Sequence, residues 1–240
     1  MTRIAHLSDL HLNGTEERRV RFALALEKAA RGGAEYLILT GDLTADGTDK
    51  QFEEVSASLA GWPVGRVTLI GGNHDLAHKD WKAAILSTSL GRFAKTSVPG
   101  GGHADLYDCT IYPVSTQYPR RALVFRALGQ ITDYDLAMLG VVAERERVRP
   151  IVVAMHHGPQ WHPLQFFDGL TNRSEMISLL ERAPNITILC GHDHRALDLH
   201  DGRIYTAASV ADHDDPLRLY DVVGNRIVPV YRSADPGRYL

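Results

Sequence analysis

The chain has 240 residues, 44% of them hydrophobic and 23% charged, which is enough to bury a core without disulfide or metal staples. Its 26 Lys and Arg against 29 Asp and Glu leave a net charge of −3 with histidine neutral, which argues against stable nucleic-acid binding through phosphate neutralisation. Cys109 and Cys190 are too few for a disulfide framework and sit beside apolar β-type residues, so buried free thiols in a reducing compartment are expected.

The opening stretch reaches Asp9 too soon for the apolar core of a signal peptide. No run approaches the roughly 18 apolar residues of a membrane span. A soluble, cytoplasmic protein with no membrane partner is expected. Ile4–Ser8 reads as a first short strand and Tyr36–Thr40 as a second, both apolar enough to be buried on two faces. Thr48-Asp49-Lys50-Gln51 is a capping-box pattern that opens a helix, with Gly61 placed to end it. A third strand is expected at Val67–Ile70. Pro99-Gly100-Gly101-Gly102 reads as a surface loop, because the Lys-Ser/Thr and helix of a phosphate cradle do not follow it.

Thr132 with Asp135 caps a helix whose inward stripe is Leu136, Leu139 and Ala143, and Glu144 to Arg147 reads as a solvated face. Strand Ile151–Met155 precedes a helix with Met176, Leu179, Leu180 and Ala183 at the spacing of one buried face, and Ile186–Cys190 is a further strand. The end of the chain changes character. Ala196–His200 and Arg203–Ala207 flank Asp201-Gly202, while Leu217–Val223 and Arg226–Tyr231 flank Gly224-Asn225, both hairpin signals. Strand–helix units followed by hairpins predict an α/β fold with mixed sheets, in a single domain over residues 1–240.

Each apolar strand is followed by metal-capable side chains. Asp9-Leu10-His11 follows the first, Gly41-Asp42 the second, and Gly72-Asn73-His74-Asp75 the third. His156-His157 and Gly191-His192-Asp193-His194 follow the two later strands. Taken singly these are weak signals, since Gly-Asp is ordinarily a turn and a lone histidine a structural residue. Their shared position is the stronger argument, because ligands bind at the carboxyl ends of strands in open α/β sheets. Strand alternation favours His156 over His157 as the residue aimed at the site, leaving His157 a supporting hydrogen bond. Imidazole, carboxylate and amide donors suit Mn, Fe, Co or Zn, and a carboxylate can bridge two such ions about 3.5–4 Å apart. His162, Asp168 and Arg195 are candidates to line a substrate cleft.

In this order the clusters resemble the calcineurin-like metallophosphoesterase superfamily, and His156-His157-Gly158-Pro159 with the run to Arg195 is most similar to its class III cyclic-nucleotide phosphodiesterases. Those have His-His-Pro-Pro where this chain has Gly158. The resemblance implies a four-layer α/β/β/α sandwich and two divalent metal ions. It implies Asp9, His11, Asp42 and His194 on one ion, with Asp42 bridging to a second completed by Asn73, His156 and His192. His74, oriented by Asp75, would touch the scissile phosphate and protonate the leaving oxygen, with Asn73 also near the substrate. A hydroxide held between the ions would then attack a small phosphodiester or nucleotide. A phosphomonoesterase or pyrophosphatase would share these metals, a nuclease fits the charge poorly, and a non-catalytic protein-binding scaffold would ordinarily have lost ligands. Oligomeric state is open, a homodimer included.

Overall fold

The computed structural model describes residues 1–76, 85–94, 102–117, 127–160 and 169–230. β1 (Arg3–Leu7), β2 (Tyr36–Thr40) and β3 (Val67–Ile70) run parallel, in register Ile4 to Tyr36 and Leu37 to Val67. On the far side of β1 lie β12 (Arg218–Val223) and β13 (Arg226–Pro229), both antiparallel additions. The second sheet centres on parallel β5 (Thr110–Pro113), β7 (Ile151–Ala154), β9 (Ile186–Cys190) and β11 (Ile204–Thr206). Its edges are β4 (Ala104–Asp105) and β10 (Leu197–Leu199), each antiparallel to its neighbour. β6 (Leu128–Gly129) and β8 (Gly169–Leu170) form a small separate pair.

Strand alternation divides the apolar side chains into three cores. Ile4, Tyr36 and Ile38 point between the sheets, where they meet Val152, Ala154, Leu189 and Tyr220. Ala5, Leu7, Leu37 and Leu39 point the other way, onto α1 (Glu16–Arg31) and α2 (Asp49–Ser58). Ile151, Val153, Ile186 and Ile188 face α4 (Asp133–Arg145) and α5 (Arg173–Arg182), meeting Leu139, Met176, Leu179 and Leu180. A short α3 (Gly91–Ala94) places Phe93 against the first helical layer. The result is the expected four layers, α/β/β/α.

Local signals were read with small differences. The Thr48 hydroxyl accepts from Gln51 N at 3.3 Å, but the Gln51 amide turns to Asp46 instead of returning to Thr48, and α2 stops at Ser58, ahead of Gly61. The Thr132 cap holds Asp135 N at 3.0 Å. Gly224-Asn225 is a two-residue turn between paired Val223 and Arg226. The other hairpin needs a longer loop, with His200, Asp201 and Gly202 all at positive φ between paired Leu199 and Ile204. The hairpins also part company: β10–β11 extends the second sheet and β12–β13 the first. Cys109 and Cys190 are both buried free thiols.

Candidate metal centre

β1, β2 and β3 are parallel, so their carboxyl ends share an edge, and β7 and β9 bring theirs to the same place in the facing sheet. The turns there are tight. Asp9, His11, Asp42, His192 and His194 all adopt left-handed backbone, with φ of 53°, 44°, 46°, 72° and 55°. Side chains with a Cβ are disfavoured in that region, though Asp and His are among the residues that enter it most readily. Cross-loop hydrogen bonds hold the strain: Asp9 N donates to Gly41 O at 3.1 Å and His11 N to Asp42 O at 2.9 Å. Two glycines make the approach possible. A Cβ on Gly72 would lie 2.2 Å from Asp42 Oδ1, and one on Gly191 would lie 1.8 Å from Ser8 Oγ and 2.6 Å from Asp9 Oδ2.

The donors converge in overlapping sets. One comprises Asp9, His11 and His194, another Asp9, Asp42 and His156, each with ligand atoms within 4.8 Å of one another. Asp42 Oδ2 stands 3.7 Å from His11 Nε2 and 3.5 Å from His156 Nε2, between the two halves. His156 Nε2 is 3.1 Å from Asn73 Oδ1, and its ring meets that of His192 at 5.1 Å. His11 Nε2 faces His194 Nε2 at 3.3 Å, and Asp9 Oδ1 is buried without a hydrogen bond, 3.4 Å from His194 Nε2. Buried carboxylates set among opposed imidazole nitrogens and an amide oxygen form a donor set that fits a pair of divalent cations.

Protonation follows the same logic. Burial works against the ionisation of Asp42, but the His156 ring beside it outweighs burial and holds the carboxyl well below its usual range. Burial likewise opposes a charged His156, yet Asp42 and then Asp9 raise it to about 9. Asp9 is held low by contact with His194 despite its burial, while His11 is lowered chiefly by burial.

His74 is exposed, and one ring nitrogen lies within 4.8 Å of ligand atoms of His11 and Asp42. Its backbone N–H donates to Asp42 Oδ1 at 2.9 Å, and Nδ1 is 3.0 Å from Ala45 O. Asp75 therefore does not orient the ring as expected. Its carboxylate instead accepts from Gly72 N at 2.8 Å, Leu43 N at 3.1 Å, Thr44 N at 2.9 Å and Thr44 Oγ1 at 2.7 Å. It ties the β3 loop to the β2 loop. Burial, followed by the nearby Asp42 charge, raises it to about 6 against the pull of those donors.

His157 shares a donor set with His156 and His192, its ring 4.3 Å from that of His192, with Nδ1 2.8 Å from Thr116 Oγ1 and Nε2 buried with no hydrogen bond among the described residues. Arg195 is exposed, and its carbonyl is held by the Thr206 hydroxyl. His162 and Asp168 lie outside the described residues. Thr40, Ala45 and Asp212 were not signalled by the motifs, because carbonyls and a loop carboxylate reach the imidazoles only in three dimensions. His156 Nδ1 is 2.7 Å from Thr40 O, and His194 Nδ1 is 3.0 Å from Asp212 Oδ2.

Among solved structures, the chain is similar to a dimetal phosphatase from Danio rerio, with a TM-score of 0.72 at 13% identity over 95% of this chain and 98% of that one. It is also similar to TT1561 of Thermus thermophilus, with a TM-score of 0.63 at 11% identity and the same coverages. In sequence it is 24% identical to a probable cyclic nucleotide phosphodiesterase of Moraxella catarrhalis, over 82% of this chain and 73% of the relative. It is 26% identical to a 3′,5′-cyclic-nucleotide phosphodiesterase of a Nostoc species, over 80% and 71%. Residues 2–196 match the calcineurin-like phosphoesterase family as a whole, and so take in every donor described above from Asp9 to His194. The chain belongs to that family and is a metal-dependent phosphoric ester hydrolase.

Proposed function

We propose that this enzyme is a phosphodiesterase for small nucleotide-like diesters, 3′,5′-cyclic nucleotides among them. Asp9, His11, Asp42 and His194 would hold one divalent ion, and Asn73, His156 and His192, together with Asp42, would hold a second. Mn, Fe, Zn and Co all suit that donor chemistry. When bound, the ions supply positive charge against the phosphoryl oxygens and a water acidic enough to attack phosphorus. Asp42 and Asp9 are held in the ionised form that offers oxygens to a cation. The Ala45 carbonyl accepts a hydrogen bond from His74 Nδ1–H and leaves Nε2 for the substrate. As the ester P–O bond breaks, the doubly protonated ring gives its Nε2 proton to the leaving oxygen and is left neutral with Nδ1–H on Ala45 O, help worth about 10²–10⁴-fold for a poor leaving group such as a ribose alkoxide.

The observation that carries this reading is the exposed His74 imidazole against a buried donor cluster, in a chain whose relatives bear cyclic-nucleotide phosphodiesterase names. The test is turnover of cyclic AMP, bis(p-nitrophenyl) phosphate and p-nitrophenyl phosphate by the Mn²⁺-loaded protein. Both diesters are expected to turn over faster than the monoester. A strong preference for the monoester would overturn the diesterase reading, and no hydrolysis of any ester would favour a non-catalytic scaffold.

A further inference from the structure

We infer that Asp212, in the loop after β11, is a positioning residue that fixes the metal-binding face of His194. The inference rests on the reading of His194 as a ligand. An imidazole can present only one nitrogen to a cation, and the other must have its proton accepted elsewhere. His194 Nδ1 is 3.0 Å from Asp212 Oδ2, so its proton has a carboxylate to receive it. That leaves the Nε2 lone pair directed toward Asp9 Oδ1, at 3.4 Å, and His11 Nε2, at 3.3 Å.

Asp212 is itself held. The Ser209 hydroxyl lies 2.9 Å from Asp212 Oδ2 and 3.1 Å from the Asp9 carbonyl, so one side chain joins the orienting carboxylate to a second ligand. Val210 N donates to Ser8 O at 3.0 Å and Ala211 N to Asp9 O at 3.2 Å, stapling this loop to the end of β1. From α1, the Arg18 guanidinium approaches Asp212 Oδ1 at 3.6 Å. The other half of the centre is built differently, since His156 Nδ1 faces the neutral Thr40 carbonyl. A carboxylate partner makes an imidazole a better donor than a carbonyl does. Asp212 therefore strengthens the ion on the Asp9–His11–His194 side and leaves the ion on the His156 side unchanged.

The test is Mn²⁺ titration of the metal-free full chain, following free Mn²⁺ by electron paramagnetic resonance, with circular dichroism reporting the fold. Wild type should take up two ions. In Asp212→Ala one of the two binding steps should weaken by about 10–100-fold while the other is unchanged. Asp212→Asn, whose side-chain oxygen still accepts from Nδ1–H but carries no charge, should recover part of the loss. Unchanged binding in Asp212→Ala, equal weakening of both steps, or an Asn variant no better than Ala would overturn the inference while leaving the two-metal reading standing. Wild type binding fewer than two ions would overturn the donor assignment itself, and this inference with it.

Discussion

His74 is exposed where His156 and His157 are fully buried, and its Nδ1 is occupied by the Ala45 carbonyl. A ring so placed fits the proton transfer proposed for it. The variant His74→Ala should keep both ions and lose cyclic AMP hydrolysis by about 10²–10⁴-fold. Its loss on bis(p-nitrophenyl) phosphate should be much smaller, because nitrophenolate leaves without a proton. Equal losses on the two substrates would remove the general-acid role. A second buried histidine gives a pH prediction. His6 lies between the sheets with Nε2 2.8 Å from Thr40 Oγ1, and burial, with Arg218 adding to it, lowers its pKa to about 3 from 6.5. Above pH 6.5 both folded and unfolded chains hold it neutral, so it contributes nothing. Below that, the unfolded chain binds a proton that the native state refuses, and stability falls until about pH 3. Between pH 7 and pH 5, wild type should lose about 2 kcal/mol more than His6→Gln in urea unfolding. Parallel pH profiles would show that His6 is protonated in the native protein. The sequence gives His6 no motif, so its burial became visible only with the second sheet in place.

The decisive feature among the elements is the crossing of the β9 and β1 loops at Gly191. A Cβ there collides with Ser8 and Asp9, so Gly191→Ala should destabilise the protein by about 1–3 kcal/mol and weaken metal binding. Adding Ser8→Ala removes the nearest clashing atom and should recover part of the stability, read by thermal unfolding of the two variants. Full stability in Gly191→Ala would mean that the loops do not pack this closely. Legibility among the elements tracked periodicity. The short strands buried on both faces and the Met176 stripe of α5 stood out because burial fixes their composition. Helix α1 has less contrast, with Val20 and Leu24 exposed on its outer face. The length of the 200–203 turn was not readable either, because three consecutive left-handed residues leave no composition signal beyond Asp201-Gly202.

At the scale of the whole molecule, the two sheets press together around an apolar core whose one edge carries the buried carboxylates Asp9, Asp42 and Asp75. Cations that bind only the folded chain stabilise it by about 2.7 kcal/mol at a hundredfold excess over Kd. Chelation should therefore lower the melting temperature by several degrees, at about 2–4 °C per kcal/mol for a chain of this size, and Mn²⁺ should restore it. Asp42→Ala, which removes the group placed between the two donor sets, should show neither the metal content nor the Mn²⁺-dependent rise. A Mn²⁺ response of wild-type size in that variant would count against Asp42 as the shared ligand.

By itself the sequence determined where the metal-capable side chains cluster, since the strands are short, buried and followed at once by their polar residues. The four layers were legible only through the family resemblance, because a strand buried on both faces does not say whether helix or sheet covers each one. Tertiary structure alone decided how those residues are held. Asp75 clamps backbone rather than His74, Ala45 and Thr40 lend carbonyls to imidazoles, and Asp212 reaches His194. Such partners depend on left-handed turns and on loops from different strands meeting within hydrogen-bond distance, and neither leaves a periodic trace along the chain.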